Sequence, residues 1–367
     1  MKFIICATLM PSEVEKNLQG ASPAAGNFLR HLKNAIEKRG YEVKVCSFIA
    51  IKGAIDVYKK NGISTENAIF KDKTIIKSVH KYQKQVLETA EKGDVILFYN
   101  IVYFDFGLAE KLRKKGAIPV LILADYTDSH EEKGSVIRKL ISLRTRTEFL
   151  QFDYGITLSE DSKQLFNESA KTVVMEGGVA LENYINFPRP IKENVTHVLY
   201  AGTFSNVTGI DTLLEAISMV DNDQMEFWFS GKGDLEESII SASRKDSRIK
   251  YLGFMDENEY FDVLKRTHVF INPRNMTLPQ NRNNFPSKVL EYLACGRPVV
   301  STKFPGYKNF ENNFIFCEND ANSLADSIVR AGRLSEVDLQ RYYNMNAEKA
   351  KNYSWEKQVE KVIDLIK

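Results

Sequence analysis

The sequence predicts an α/β protein built from two doubly wound parallel sheets, and three observations lead to this prediction. Its 367 residues are too many for one compact core and suggest two domains. Short apolar runs alternate with amphipathic stretches along the chain, which is typical of repeated strand and helix units. Residues 186–190 interrupt this alternation with Pro188 and Pro190, because proline extends neither a helix nor a central strand.

The first half of the chain contains six apolar runs with the length of buried strands. They are Phe3–Cys6, Val43–Ser47, Val95–Tyr99, Val120–Leu123, Tyr154–Leu158 and Thr172–Met175. Helices are expected between them, over Asn27–Lys38, Lys77–Lys92 and Leu108–Lys115. In Asn27–Lys38 the apolar residues repeat with helical spacing, and Gly40 stands where a glycine commonly ends a helix.

The second half repeats the same alternation. The expected strands are Val198–Ala201, Glu226–Ser230, Ile249–Leu252, Val269–Asn272 and Val299–Thr302. The expected helices are Asp211–Val220, Leu235–Ser243, Glu257–Lys265 and Ser287–Cys295, with a last helix over Trp355–Ile366. We therefore expect an N-terminal domain at 1–187, a C-terminal domain at 188–352, and a segment 353–367 that returns to the first domain. Ligands of such sheets bind outside the carboxyl ends of the strands, so the two domains are expected to face an interdomain cleft.

Charge and cysteine content exclude several classes of protein. Lys and Arg number 50 against 48 Asp and Glu, a balance that does not fit binding of nucleic acid over a whole surface. The four cysteines are scattered, without a CxxC pair, so neither a zinc site nor a disulfide framework is expected. The apolar runs are too short to span a membrane, and the apolar start at residues 1–10 is interpreted as a buried strand rather than a signal peptide. These features favour a cytoplasmic protein.

The motifs that are missing exclude further classes. The sequence has no GxxxxGK[ST], HExxH or GxSxG motif, which argues against phosphate-loop NTPases, zinc proteases and α/β-hydrolases. Gly231-Lys232-Gly233 lacks the third glycine of a dinucleotide fingerprint, so a dehydrogenase is not expected. Asp221-Asn222-Asp223 has the form of a DxD metal motif, but its place between a helix and a strand favours a turn.

The segment from Asn283 to Val300 carries most of the chemistry. It is typical of a loop, a helix that begins near Pro286 and ends at Gly296, and a buried strand. Ser287, Lys288 and Glu291 are expected at one end of that helix, facing the cleft. The helix N-terminus and the Lys288 ammonium would attract a diphosphate, and Glu291 can accept hydrogen bonds from a ribose diol. Spacing alone allows a second interpretation, a surface ion pair between Lys288 and Glu291.

These residues resemble the nucleotide-sugar-binding motif of retaining GT-B glycosyltransferases of family 4. In that family an acidic residue and a second Glu are separated by seven residues, and the second Glu opens an EYxAxGxPVV run. The chain is similar to the variant with FPSK before this Glu. The resemblance extends to Leu199–Thr203, Ser230–Gly233, Tyr251–Phe254 and the closing Tyr353-Ser354-Trp355, in the same order.

The resemblance implies roles for individual residues. Glu291 would hold the donor ribose, and Ser287 with Lys288 the diphosphate. Phe254 and the turn at Gly231 and Gly233 would border the base. No metal would be needed, because Lys288 and the helix N-terminus would neutralise the leaving diphosphate.

Two departures from the family pattern affect these roles. The first acidic residue of the motif is replaced by Asn283, which can still bond a sugar hydroxyl but carries no charge. Many members have an Arg and a Lys where this chain has Thr203 and Thr208. Neutralisation of the phosphates would then depend more on Lys288, aided by Arg274 or Arg282.

The N-terminal half offers two further candidate sites. The small-residue loop from Gly20 to Asn27 resembles the glycine-bearing first loop of the family and would let backbone approach a phosphate or a sugar. Its other interpretation is a surface turn. Asp125 follows a strand where many relatives have His, and it would orient the acceptor hydroxyl or stabilise positive charge on the donor sugar. A solvated loop residue is the alternative.

Residues 133–146 combine basic and apolar residues with helical spacing. This pattern is consistent with contact to an anionic membrane or to a lipid-linked acceptor, or with a core-packed helix that has a solvated basic face.

The sequence thus predicts a retaining hexosyltransferase that uses a nucleotide diphosphate sugar, with a UDP-sugar favoured. Its acceptor would be a glycan or a lipid-linked molecule of cell-surface polysaccharide or glycoconjugate synthesis. The enzyme would be cytoplasmic, with possible contact to the inner face of the membrane, and would bind no nucleic acid. Two alternatives stay open: a nucleotide-sugar epimerase or hydrolase with this architecture, and a non-catalytic sugar-nucleotide-binding subunit.

Overall fold

A computed structural model describes residues 1–18, 20–66, 68–124, 136–189, 191 and 193–367, with only the backbone for Pro23 and residues 136–138. Asp125 and residues 133–135 therefore lie outside the described residues. The chain forms two compact units. The first contains Met1–Gly178 and Trp355–Lys367, and the second contains Val179–Ser354.

The first unit is built on a parallel sheet of seven strands. In chain order these are β1 (Phe3–Ala7), β2 (Val43–Ile49), β3 (Ala68–Phe70), β4 (Val95–Tyr99), β5 (Ile118–Leu123), β6 (Tyr154–Thr157) and β7 (Lys171–Val174). Their order across the sheet is β3-β2-β1-β4-β5-β6-β7, and every neighbouring pair is parallel. The central strands are buried on both faces, which explains why their sequences are continuous apolar runs.

Helices of the first unit connect these strands. They are α1 (Ser12–Glu15), α2 (Pro23–Lys38), α3 (Ala54–Lys60), α4 (Ile75–Thr89), α5 (Leu108–Lys114) and α6 (Val136–Phe149). The predicted helix over Asn27–Lys38 begins earlier, because the Ser22 hydroxyl accepts a hydrogen bond from the backbone of Ala25 and Pro23 occupies the first turn.

The second unit is built on a parallel sheet of six strands. They are β8 (Thr196–Thr203), β9 (Met225–Lys232), β10 (Ile249–Gly253), β11 (Val269–Asn272), β12 (Val299–Thr302) and β13 (Phe314–Cys317). Their order is β10-β9-β8-β11-β12-β13, again all parallel. The connecting helices are α7 (Ile210–Met219), α8 (Glu236–Lys245), α9 (Glu257–Arg266), α10 (Lys288–Ala294), α11 (Ala321–Gly332) and α12 (Glu336–Ala350).

The last helix, α13 (Trp355–Ile366), packs within the first unit. The Trp355 ring stacks on His31, with ring centroids 5.7 Å apart, and meets the edge of Phe28 at 5.2 Å. The Lys361 ammonium donates to the carbonyl of Val174 in β7 at 3.0 Å. A Cβ at Gly178 would lie 2.4 Å from the Trp355 ring, so the glycine lets the indole approach the backbone.

The predicted fold class is confirmed, since each unit is a doubly wound parallel sheet with helices. The structure divides the chain between Gly178 and Val179, whereas the proline-rich segment favoured a boundary between residues 187 and 188. None of the helices in the described parts of the chain combines the length and the apolar character needed to cross a bilayer.

Candidate functional site

Several of the predicted site residues lie at one edge of the second sheet. Thr203 ends β8, Gly231 lies at the end of β9 and Gly233 directly follows it, and Phe254 and Arg274 come just after β10 and β11. Because all these strands are parallel, their carboxyl ends share one edge of the sheet. Helix α10 connects β11 to β12 and therefore begins at the same edge.

Helix α10 is fixed in rotation by its buried side. Leu290 and Leu293 are fully buried, and the Tyr292 ring stacks on Phe270 of β11 with centroids 4.2 Å apart. The Tyr292 hydroxyl donates to the carbonyl of Ala201 in β8 at 3.2 Å. This packing leaves the side chains on the opposite side, those of Lys288 and Glu291, partly exposed.

Lys288 and Glu291 form an ion pair, with 2.9 Å between Nζ and Oε2. Their side chains are 38% and 33% exposed, so solvent reaches both groups and weakens the attraction. The surface ion pair that the spacing alone allowed is therefore present in the protein without a ligand. The pair nevertheless lies in a helix that begins at the edge of the sheet where a ligand is expected, and both groups are accessible to solvent.

The start of α10 offers an anion fewer N–H groups than its sequence suggested. The N–H groups of Ser287, Val289 and Leu290 donate to the carbonyls of Phe285, Pro286 and Ser287. The helix is also only seven residues long. The Lys288 ammonium, with the exposed Ser287 hydroxyl beside it, is therefore the main group here that can attract a diphosphate.

Tyr260, in the first turn of α9, contacts both members of the ion pair. Its hydroxyl donates to Glu291 Oε2 at 3.3 Å, and the Lys288 Nζ lies 4.3 Å from the centroid of its ring. Burial, and then the charge of Glu291, raises the pKa of the Tyr260 hydroxyl well above its ordinary value, so the hydroxyl stays protonated. The sequence patterns did not identify this residue.

The glycines of the β9 turn have a structural reason. Gly231 and Gly233 have φ angles of +143° and +159°, a backbone conformation that residues with a side chain rarely adopt. A Cβ on Gly231 would lie 1.9 Å from the carbonyl oxygen of Gly202, and one on Gly233 would lie 2.3 Å from that of Phe204. The turn thus packs closely against the end of β8 and the residue that follows it, which accounts for both glycines without a ligand.

Phe254 presents an exposed aromatic face at this edge. Its side chain is 56% exposed, and the Lys232 ammonium lies 5.0 Å from its ring centroid. A planar base can stack on such a ring, and Lys232 places a positive charge beside it.

Asn281 is a buried side chain that joins the loop after β8 to its own loop, which lies between β11 and α10. Its amide nitrogen donates to the carbonyls of Val207 at 2.8 Å and Asn275 at 2.7 Å. Its Oδ1 accepts a 2.7 Å hydrogen bond from the Arg274 guanidinium. Asn281 thereby holds Arg274 in place, a role that sequence reasoning missed because its partner Val207 lies 74 residues away in the chain. Asn283, half-buried, lies in the same segment.

The loop after β8 is closed by hydroxyl groups where the family pattern has basic residues. The Thr208 hydroxyl donates to the carbonyls of Thr203 and Ser205 at 2.7 and 2.9 Å. The Tyr200 hydroxyl also donates to the Thr203 carbonyl, at 2.7 Å. Thr203 and Thr208 therefore stabilise the loop and bring no positive charge to it.

The loop at Gly20 belongs to the first unit. Gly20 is exposed, with a φ of +88°, and a Cβ added to it would have no atom within 4 Å. In the first turn of α2, by contrast, a Cβ on Gly26 would lie 2.0 Å from the buried carboxylate of Glu15, which pairs with Arg30 at 2.8 Å. Gly26 thus makes room for an internal carboxylate, and the glycine content of this loop is partly structural.

One cluster in the described residues has the composition of a metal site. Glu193, His197 and His268 offer ligand atoms within 4.8 Å of one another. Nδ1 of His268 accepts a 3.0 Å hydrogen bond from the backbone N–H of His197, so the neutral ring carries its proton on Nε2. Burial, and then His197, lowers the pKa of His268 and keeps this ring neutral. With one nitrogen bonded and the other protonated, His268 has no lone pair for a metal.

A sequence comparison matches residues 195–333 to the family described as Glycosyl transferases group 1. An uncharacterized glycosyltransferase of Methanocaldococcus jannaschii is 22% identical over 368 residues, covering 97% of this chain and 96% of that protein. The putative colanic acid biosynthesis glycosyltransferase WcaL of Escherichia coli is 23% identical over 180 residues, covering 46% of this chain and 44% of WcaL.

Among solved structures, the chain is similar to Anabaena HepE. The HepE complex with UDP aligns with a TM-score of 0.70 at 14% identity, over 99% of this chain and 100% of that one. The HepE complex with UDP and glucose aligns with a TM-score of 0.71 at 15% identity, with the same coverage.

Proposed function

Because this chain is a glycosyltransferase with the GT-B fold, we propose that it transfers a hexose from a UDP-sugar to a hydroxyl group of a glycan or lipid-linked acceptor, with retention of configuration. The observation that carries the proposal is the pair of Lys288 and Glu291 at the carboxyl edge of the second sheet. The UDP complexes of HepE support the choice of nucleotide, and WcaL supports a role in polysaccharide synthesis.

Donor binding would exchange the partners of the ion pair. In the protein alone, Lys288 and Glu291 compensate each other's charge at 2.9 Å. We propose that the ribose hydroxyls donate to Glu291 while the Lys288 ammonium turns to the diphosphate, assisted by the Ser287 hydroxyl. The Lys288 ammonium then gains a partner that carries more charge than the carboxylate, and the Glu291 carboxylate accepts hydrogen bonds from the diol.

The same interactions would favour departure of the nucleotide. When the bond from the sugar to the diphosphate breaks, negative charge develops on the leaving oxygen, and Lys288 stabilises that charge. Arg274, held by Asn281, is proposed as a second cation for the phosphates. Phe254 and the turn at Gly231 and Gly233 would border the uracil. Thr203 would contact the donor through its backbone or hydroxyl.

Three proposed roles concern the sugars. Asn283 would bond a hydroxyl of the donor hexose through its amide. Asp125 would orient the acceptor hydroxyl, and the loop at Gly20 would approach the sugar or its phosphate. This chemistry uses no metal ion.

Nucleotide binding tests the donor proposal directly. We expect UDP to bind more tightly than GDP or ADP in isothermal titration calorimetry. Lys288→Ala should weaken UDP binding about tenfold or more, because a hydrogen bond from a charged group is lost, and should leave uridine binding unchanged. Lys265→Ala, which removes a lysine from an exposed i,i+3 pair with Asp262 at the C-terminal end of α9, is the matched control. Equal losses for UDP and uridine would remove Lys288 from the phosphate site.

Product analysis tests the reaction. With UDP-hexoses and a panel of glycan and lipid-linked acceptors in EDTA, we expect a glycoside of unchanged anomeric configuration by NMR, and little free sugar without acceptor. Inverted product would exclude retention. Rapid donor hydrolysis or epimerisation would support the first alternative, and donor binding without turnover would support the non-catalytic subunit.

We propose in addition that the exposed face of α6 contacts an anionic membrane. Leu140 and Leu143 are 60% and 48% exposed and lie on one side of α6, and Leu150, 50% exposed, directly follows its last residue. Lys139 and Arg146 are exposed beside them. Apolar side chains next to basic ones match a bilayer with acidic lipids.

A vesicle experiment tests the membrane proposal. The protein should sediment with vesicles of phosphatidylglycerol and phosphatidylcholine, and far less with phosphatidylcholine alone. The double substitution Leu140→Ser and Leu143→Ser should lower the affinity about tenfold or more, because two apolar side chains no longer enter the lipid. Val337→Ser, at another exposed apolar residue, is the control. Unchanged binding of the double variant would contradict the proposal.

A further inference from the structure

Helix α9 places Tyr260 at the edge of the sheet with little freedom. The helix begins at Asp256, whose carboxylate accepts from the backbone N–H of Glu259, while the Glu259 carboxylate accepts from the N–H of Asp256. This reciprocal cap fixes the first turn, which contains Tyr260. Because α9 follows β10, its first turn lies at the carboxyl edge, as does the start of α10.

The contacts of Tyr260 divide between the two charged groups. Its hydroxyl donates to one carboxylate oxygen of Glu291, Oε2, at 3.3 Å. Its ring lies under the Lys288 ammonium at 4.3 Å, a distance at which an aromatic face attracts a cation. One side chain thus contacts both groups that the proposed donor must separate.

Glu291 lies among three tyrosines. Burial is the main cause of the raised pKa of the Tyr184, Tyr260 and Tyr292 hydroxyls, and the charge of Glu291 adds to it. For Tyr292, the effect of Tyr200 is larger than that of Glu291. Tyr292 donates instead to the carbonyl of Ala201. Within the described residues, Tyr260 is the tyrosine that donates a hydrogen bond to Glu291. Because its pKa is raised, the Tyr260 hydroxyl keeps its proton and can donate this hydrogen bond.

We infer that Tyr260 is a positioning residue that keeps Glu291 and Lys288 in place while they exchange partners for the donor. When Lys288 leaves Glu291, the Tyr260 hydroxyl still occupies Oε2 and directs Oε1 to the ribose diol. The ring keeps the ammonium near the diphosphate instead of letting it move into solvent. This inference rests on the proposed nucleotide-sugar site.

Two substitutions separate the two contacts. Tyr260→Phe removes the hydroxyl and keeps the ring, whereas Tyr260→Leu removes both. The probes for calorimetry are UDP, uridine, and 2′,3′-dideoxyuridine, which lacks both hydroxyls of the ribose diol. Tyr251→Phe, which removes a 2.6 Å hydrogen bond between another tyrosine and Glu236 in the same unit, is the matched control.

Tyr260→Phe should weaken the binding of UDP and of uridine alike, by about fivefold, as expected for the loss of one hydrogen bond. It should not change the binding of dideoxyuridine. Tyr260→Leu should lower UDP affinity by about a further fivefold without a further loss for uridine, because the Lys288 ammonium loses its aromatic contact. The preference for uridine over dideoxyuridine therefore falls in both variants and stays unchanged in Tyr251→Phe.

The possible outcomes are distinct. If Lys288→Ala weakens UDP binding but both Tyr260 variants bind every probe as the unaltered protein does, the inference is wrong and the donor proposal stands. If all three probes weaken equally, Tyr260 supports only the fold, and the inference is wrong as well. If the unaltered protein binds no UDP, the donor proposal fails and the role of Tyr260 fails with it.

Discussion

Asp105 is a carboxyl group in the core of the first unit, 3% exposed. Its Oδ1 accepts from the Tyr82 hydroxyl at 3.0 Å, and its Oδ2 accepts from the backbone N–H of Val102 at 3.2 Å. Burial raises its pKa from 3.8 to about 8, despite both hydrogen bonds. The folded protein therefore holds a proton that the unfolded chain releases once the pH exceeds about 4.

This proton links the stability of the first unit to pH. The pKa of Asp105 is higher in the folded protein than in the unfolded chain. Its contribution to stability is therefore fully present below the unfolded pKa and is lost as the pH rises toward about 8. Asp105→Asn cannot titrate, and we expect its free energy of unfolding to fall less steeply between about pH 5 and pH 7. The difference should approach 1.4 kcal/mol per pH unit at most, roughly the value for one proton.

Urea unfolding in a Trp228→Phe background measures this difference, because Trp355 then reports on the first unit alone. Asp56→Asn, at an exposed carboxylate of α3, should leave the slope unchanged. If Asp105→Asn has the slope of the unaltered protein, Asp105 is not protonated in the folded state.

Residue patterns could predict part of the candidate site. The spacing of Lys288 and Glu291 places them on one side of a short helix, and the structure has them in contact. Tyr260 is 31 residues from Glu291, so no local pattern joins them. The sequence did contain a signal for Tyr260. A tyrosine in the first turn of a helix that follows a parallel strand lies at the carboxyl edge of the sheet.

At the scale of elements, Arg297 joins the ends of two helices. It is 1% exposed and donates to the carbonyls of Thr267 and Lys265 at the end of α9, at 2.9 and 3.4 Å, and to Cys295 after α10, at 3.3 Å. Its guanidinium also lies 5.5 Å from the Phe187 ring centroid. Burial lowers its pKa to about 10, so it remains charged and matches the negative ends of both helices.

Loss of Arg297 should therefore destabilise the second unit. Arg297→Leu leaves the carbonyls of Thr267, Lys265 and Cys295 without this donor, and we expect a loss of about 3 kcal/mol. Arg297→Lys, which keeps the charge but not the planar donor group, should lose less. Urea unfolding in a Trp355→Phe background reports on the second unit through Trp228.

Arg244→Leu on α8 removes an arginine at the surface of the same unit and is the control. A change below about 1 kcal/mol for Arg297→Leu would show that the neighbouring groups rearrange to bond these carbonyls.

Several strands were predicted with the bounds that the structure gives, as Val95–Tyr99, Val269–Asn272 and Val299–Thr302 show. The short strand β3 could not be predicted, because its three residues carry little pattern and gain their order from hydrogen bonds to β2.

For the whole molecule, alternation of strands and helices was enough to predict two parallel sheets, because parallel strands need such crossovers. The division between the units could not be predicted from prolines. The segment before Pro188 packs on the second unit: Tyr184 meets Phe261, with ring centroids 5.5 Å apart, and the Phe187 carbonyl accepts from the Tyr343 hydroxyl at 3.1 Å. Contacts of this kind, between residues far apart in the sequence, decide which unit contains the segment.

The assignment of α13 to the first unit has a consequence for biosynthesis. The second unit is continuous in sequence, so a ribosome releases all of it before α13 emerges. The second unit can then complete its folding while the first still exposes the apolar surface that Val359 and Val362 cover in the finished protein. The half that is translated first therefore cannot complete its core until the last helix has been made.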